Sequence, residues 1–234
     1  GPLTLRWYGL LFASGFLIGF YIVQRMFQKE GAPEEWLEKV FMYMVLGTVV
    51  GARLGHVFFY EWDYYSQHLS EIPKVWRGGL ASHGGAIGII LALWIFSKTV
   101  SKRSLLWILD KVVVPTALAG CFIRLGNLMN SEIYGLPTEV AWGFKFVNTD
   151  EEALVRHPVQ LYEAISYLIS FFILFYAYWK TDLKNRLGFS FGLFLVLIFG
   201  ARFFLEPFKS SQGGFENTLG LFTTGQWLSI PFVI

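Results

Sequence analysis

The chain has 234 residues, 54% of them hydrophobic and only 15% charged, whereas soluble domains are nearer a quarter charged. Nine Trp and 24 Phe exceed what a soluble interior of this size needs, and they suit a surface that faces lipid. The net charge of +2, with no Lys/Arg run, excludes a nucleic-acid partner, and the single cysteine, Cys121, excludes an internal disulfide or a cysteine-based zinc cluster.

Seven apolar segments follow one another. The first runs from about Leu5 to Val23. It lacks a basic leader and a small-x-small cleavage site, so it reads as a retained span, not a signal peptide. The next five run from Val40 to Tyr60, Leu80 to Phe96, Leu105 to Leu128, Leu161 to Trp179 and Phe189 to Phe208. The seventh begins near Gln226 and stops at Ile234; that end, and the start at Gly1, are read as cut. Each complete segment is near the roughly 20 residues that cross the hydrocarbon, where open sheets cannot be exposed. The expected fold class is therefore all-α: one transmembrane domain, 1–234, forming a polytopic helix bundle of about seven spans.

Basic residues predict the orientation. Arg25, Lys29 and Lys39 follow segment one, Lys98, Lys102 and Arg103 follow segment three, and Lys180, Lys184 and Arg186 follow segment five. The intervening loops are poorer for their length, with Lys74 and Arg77, Lys145 and Arg156, and Lys209. The positive-inside rule puts the first set in the cytoplasm. The N-terminus and the loop at about 129–156 then face outward. Gly47, Gly51 and Gly55 form a stripe every four residues, repeated at Gly84–Gly88 and Gly15–Gly19. Such stripes let helix backbones approach closely in lipid.

Polar residues interrupt these segments. Arg53, His56, His83, Arg124, Asn127, Asn130, Glu132, Arg202 and Glu206 lie within or at the ends of apolar runs. A charge at the bilayer centre costs roughly 2.5–3.5 kcal/mol on insertion scales, so each must be paired, snorkel or serve function. Arg202 and Glu206, four apart, share a helix face and could equally form an internal salt bridge. Arg53 and His56 could bind a ligand or anchor the helix at the interface. Arg124, Asn127 and Asn130 fall on one face, and an Arg beside two amides suits an anion bearing hydroxyls. His83 is followed by Gly84 and Gly85, which bare the backbone to a ligand, and histidine is well poised to take a proton near neutral pH. In the run His157-Pro158-Val159-Gln160-Leu161-Tyr162-Glu163, Pro fits a first helical turn and Gln160 and Glu163 share a face. No G-x-S-x-G, H-E-x-x-H or Walker motif is present, the histidines are too isolated to argue for a metal, and Cys121 reads as a small buried residue. No cofactor is called for.

Six motifs together resemble the bacterial prolipoprotein diacylglyceryl transferase family. They are Arg6-Trp7-Tyr8-Gly9-Leu10, Gly51 to His56, His83-Gly84-Gly85, Arg124 to Gly135, His157 to Glu163, and Arg202 to Glu206. They occur in the family's order over nearly the whole chain. The resemblance implies a seven-helix protein of the bacterial inner membrane whose site opens toward the outer leaflet. It implies transfer of the diacylglyceryl group of phosphatidylglycerol to the lipobox cysteine thiol of a prolipoprotein signal peptide, releasing glycerol phosphate. On that reading the nucleophile is the substrate's, His83 is the candidate base, and Arg124 and Arg202 hold phosphate. Asn127 and Asn130 place the glycerol. Glu132, Glu206 and Tyr8 orient the arginines or headgroup, and Gly135 lets the outer loop fold over. Arg53, His157, Gln160 and Glu163 complete the substrate-binding set. Lys209 and Ala52 depart from the Arg and Gly common there, and the loop at about 136–156 is short. The rival readings are a transporter or lipid scramblase, which would show a pseudo-symmetric repeat, and an intramembrane hydrolase using water.

Overall fold

The computed structural model describes residues 7–147, 149, 154–210 and 224–233. Its helices are α1 (Trp7–Lys29), α2 (Glu35–Phe59), α3 (Trp62–Tyr65), α4 (Ser82–Phe96), α5 (Leu105–Met129), α6 (Val159–Lys180), α7 (Phe189–Leu205) and α8 (Thr224–Val233). Six helices among the described residues are long and apolar enough to cross a membrane. The all-α expectation holds, apart from a two-residue antiparallel pair, β1 (Phe144–Lys145) with β2 (Val155–Arg156).

The spans outrun their apolar cores. α1 continues past Val23 to Lys29, and α2 starts at Glu35, ahead of Val40. Polar residues at a helix end keep the backbone hydrogen-bonded while their tips reach water. α4 widens into a π-type turn, Ser97–Ser101, and stops where Lys102 takes a left-handed φ of 53°.

Two units are distinguished, residues 23–109 and residues 1–22 with 110–234. In the first, the predicted glycine stripes meet one another. A Cβ added to Gly51 would run into the Gly84 carbonyl oxygen and sit 2.7 Å from the Gly88 Cα. One added to Gly55 would sit 2.7 Å from the Gly84 Cα, and one on Gly47 2.6 Å from the Gly88 oxygen. α2 and α4 are therefore in backbone contact, a distance at which Cα–H···O contacts form. At the other end Trp107 Nε1 donates to Glu30 at 2.7 Å and stacks on Phe27 at 5.6 Å.

In the second unit, α6 buries one stripe: Gln160, Glu163, Tyr167, Ser170, Leu174 and Ala177, at steps of three and four. Its first three members are polar, which puts hydrogen-bonding groups on the packed side of the helix. Gly15 and Gly19 of α1 sit against α5, where added Cβ atoms would meet Phe122 at 3.0 Å and Pro115 at 3.2 Å. α7 is preceded by Gly188, which has no side chain to cap it. The carboxylate of Asp110, on α5, accepts from Gly188 N at 2.7 Å and Phe191 N at 2.9 Å instead, the bonds an N-cap normally makes.

Candidate active site

Glu163 is fully buried and sits at the centre of a charge cluster. Arg124 Nε lies 2.9 Å from one of its carboxylate oxygens and Lys209 Nζ 2.7 Å from the other. Lys209 also reaches Glu206 at 3.2 Å. These are ion pairs, and neither Glu163 oxygen receives an aligned hydrogen bond. The Tyr167 hydroxyl lies in the field of Glu163, Arg124 and Arg202. Among the described residues Arg202 forms no ion pair, so the internal Arg202–Glu206 bridge, one of the two alternatives, is not made. α7 ends at Leu205, and Glu206 turns into a 3₁₀ turn, Glu206–Phe208, that delivers it to Lys209. A Cβ on Gly225 of α8 would collide with the Glu206 carboxylate.

Glu132 organises a second group. α5 ends at Met129, and the chain turns through Ser131 (φ 58°) and Ile133 (φ 57°) on either side of Glu132. Left-handed backbone at a β-branched residue costs about 1–3 kcal/mol and persists only where the surroundings enforce it. Here they do. Asn127 Nδ2 and Asn130 Nδ2 donate to the two Glu132 carboxylate oxygens at 3.1 and 3.2 Å. Gln160 Nε2 donates to the Glu132 main-chain oxygen at 2.6 Å. The amide groups expected to place glycerol thus hold the Glu132 carboxylate. The side-chain oxygens of Asn127 and Gln160 are buried without a hydrogen-bond partner.

Gly135 follows. It pairs antiparallel with Lys209, and its N–H donates to the His157 oxygen at 2.9 Å. An added Cβ would stand 2.6 Å from the Phe208 oxygen and 2.7 Å from His157. Close approach of three strands of backbone, not unusual φ, is what requires glycine here. Tyr162 OH bridges His157 Nδ1 at 3.1 Å and Trp142 Nε1 at 2.8 Å. The indole can only donate, so the hydroxyl accepts from it. Tyr8 lays its ring on Gly126, whose added Cβ would come 2.6 Å from Tyr8 Cδ2. Arg6 lies outside the described residues.

Arg53, His56 and His83 belong to the other unit. Arg53 is 3% exposed and gives its donors to four main-chain oxygens, of Ile72, Gly78, Gly79 and Glu71. The guanidinium expected to contact substrate thus has its donors engaged by main-chain oxygens of its own protein. His56 stacks on Tyr60 at 5.9 Å and meets Glu61 at 3.5 Å. His83 is the second residue of α4 and is exposed. Gly84, expected to bare backbone to a ligand, is instead spent on the contact with α2, and Gly85 makes ordinary contacts with Ala52 and Thr48 at 3.5 and 3.7 Å.

With this geometry in hand, the comparisons are specific. A family model described as prolipoprotein diacylglyceryl transferase matches residues 1–234. The chain belongs to this family. It is 51% identical to the phosphatidylglycerol–prolipoprotein diacylglyceryl transferase of Tolumonas auensis, over all of this chain and 89% of that protein. The protein of that name from Chloroherpeton thalassium is also 51% identical, over all of this chain and 86% of the relative. The one from Porphyromonas gingivalis is 46% identical over 97% of this chain and 85% of its own length. Membership in the prolipoprotein diacylglyceryl transferase family disfavours the transporter and scramblase readings.

Three residues that the motif reading left without a role now have contacts at the site. Tyr167 falls four residues after Glu163 on the buried stripe of α6, and continuing that stripe would have found it. Gly126 makes room for Tyr8, and no local signal announces it. Lys209 was visible as a departure from the family's Arg, but its link to both Glu163 and Glu206 was not.

Proposed function

We propose that this chain transfers the diacylglyceryl group of phosphatidylglycerol to the thiol of a prolipoprotein's lipobox cysteine, as the names of its relatives describe for them. The observation that carries the reading is the charge cluster. Among the described residues Arg124 and Lys209 pair with Glu163, Lys209 also with Glu206, and Arg202 acts on Tyr167 beside them. A group of cations gathered in this way suits the negative charge of a phosphodiester. Glu163 holds Arg124 at its Nε, and a guanidinium fixed in this way suits a phosphate through its planar fork of donors. Arg202, which forms no ion pair among the described residues, is the second phosphate-binding group. The Glu132 carboxylate, held by two amides, accepts hydroxyls of the glycerol headgroup, with Tyr8 and Gly135 shaping the surrounding loop and helix.

The step balances simply. The substrate thiol gives its proton to His83, and the thiolate attacks the glyceryl carbon that bears the phosphate oxygen. An S–C bond forms, the C–O bond breaks, and its electron pair leaves on glycerol phosphate, whose charge the arginines hold as it develops. Because the nucleophile comes from the substrate, buried Cys121 has no part. The chain works as one transmembrane domain of the bacterial inner membrane. Its N-terminus and the loops after α2, α5 and α7 face outward, supported by the basic loops after α1, α4 and α6.

The test is mass spectrometry of a lipobox peptide incubated with the protein and phosphatidylglycerol. A thioether-linked diacylglyceryl adduct is expected. It should fall by about 10²-fold or more in Arg124→Ala and His83→Ala. Free diacylglycerol would mean hydrolysis, and full activity in either variant would remove that residue from its role.

A further inference from the structure

Arg53 is a buried cation that, among the described residues, has no carboxylate partner. Nε donates to the Ile72 oxygen at 2.7 Å, Nη2 to Glu71 at 2.8 Å, and Nη1 to Gly78 at 2.6 Å and Gly79 at 3.3 Å. The Tyr65 ring covers the guanidinium, 4.9 Å from carbon to centroid. All four oxygens belong to the segment between α3 and α4. A guanidinium has five donors in a fixed fork, so it can serve carbonyls on both sides of a loop, which a lysine ammonium on a flexible stem cannot do in the same geometry.

The segment ends directly on α4. Gly78 (φ 85°) and Gly79 (φ 71°) are both left-handed, a turn that other residues resist. A Cβ on Gly79 would sit 2.7 Å from His56 Nε2 and 2.8 Å from Arg53 Nη1. Two residues later Ala81 N donates to the oxygen of Ala52, the neighbour of Arg53, at 2.9 Å. α4 then begins at Ser82, and Gly84 is wedged against Gly51 and Gly55. The Ala81 hydrogen bond and the Gly84 contacts that place the first turn of α4 are therefore made to one stretch of α2, residues 51–56, with Arg53 in its middle.

We propose that Arg53 is a positioning residue for His83. Its guanidinium locks the loop onto α2, fixes where α4 starts, and so sets where the His83 imidazole stands. It does not touch phosphate. The proposal rests on the reading of His83 as the base.

Two variants of the full-length protein in phosphatidylglycerol-containing nanodiscs test it. Arg53→Lys keeps the charge and loses the fork. Gly79→Ala disturbs the same contact from the loop side. Both should lower kcat for transfer to a lipobox peptide by about tenfold or more, with KM for phosphatidylglycerol and inhibition by glycerol phosphate kept within about twofold. A KM or inhibition constant raised about tenfold with kcat unchanged would make Arg53 a lipid contact and overturn the proposal. Hydrogen exchange of the amides of residues 78–84 should quicken in Arg53→Lys, and unchanged exchange would equally overturn it. In a His83→Gln background, Arg53→Lys should cost nothing further, and a full additional loss would refute positioning through His83. If His83→Gln is fully active while exchange in Arg53→Lys still quickens, it is the base reading that has failed and not the clamp.

Discussion

Replacing Glu163 with Gln keeps the side-chain volume and removes only the charge, so no cavity enters the reckoning. The carboxylate is fully buried, and its two cations lie at 2.9 and 2.7 Å with side chains only 16% and 11% exposed. At an effective dielectric of about 20, each contact is worth about 6 kcal/mol before desolvation. Removing one member of a buried pair costs about 3–5 kcal/mol, because the partner charge stays behind. At about 2–4 °C per kcal/mol for a chain of this size, Tm in detergent should fall by about 6–20 °C. Activity should fall further, by about 10²-fold, since Arg124 loses the group that aims it. Glu163→Asp, one methylene shorter with the charge kept, should fall between. The control is Glu35→Gln. Its pair with Lys39 at 3.2 Å has side chains 65% and 41% exposed, and such pairs are worth at most about 1 kcal/mol. A Glu163→Gln protein that melts with the wild type, or a Glu35→Gln protein that loses as much, would refute the reasoning.

Two other outcomes follow from contacts already described. Gly135→Ala forces the Lys209 strand away from its neighbour, since the new methyl meets two carbonyl oxygens that cannot move independently. It should abolish transfer and shift the Lys209–Glu163 contact, read as loss of activity with a Tm lowered by several degrees, about 1–3 kcal/mol of overpacking; wild-type turnover would show the approach to be slack. The Glu71 carboxyl is held below its usual range, first by the Lys74 hydrogen bond and, against burial, by the charges of Arg77, Lys74 and His68. Its folded value is thus below its unfolded one, so its contribution is complete above the unfolded value and is lost as pH falls through the folded one. Protection of the amides of residues 69–77, taken relative to the intrinsic exchange rate at each pH, should fall on acidification in the wild type, and in Glu71→Gln it should be low already at neutral pH; an acid step retained in Glu71→Gln would assign it to another group.

How much was legible varies with the kind of residue. The six long spans were readable because hydrocarbon imposes a length and a composition on any helix that crosses it. Gly47, Gly51, Gly55, Gly84 and Gly88 were readable as packing stripes for a related reason, since only small residues at four-residue steps let backbones touch. Gln160 and Glu163 were placed on one face by spacing, and both are buried on the packed side of α6. What spacing could not supply was who stands opposite. Arg53 looked like an anion ligand because the carbonyls that consume it are 18–26 residues away in sequence. Whether Glu206 bridges Arg202 was left open by their four-residue spacing, and α7 ends one residue before Glu206.

The charges buried in apolar segments, the helical class and the chemistry implied by the motif set were determined by the amino-acid sequence itself. Insertion cost and residue chemistry act position by position, without reference to neighbours. Only the tertiary structure decided which charges pair. It made Glu163 the hub of Arg124 and Lys209, left Arg202 without an ion pair among the described residues, and spent Arg53 on the loop that leads to His83. An ion's role depends on distance to groups remote in the chain, and no spacing rule carries that information.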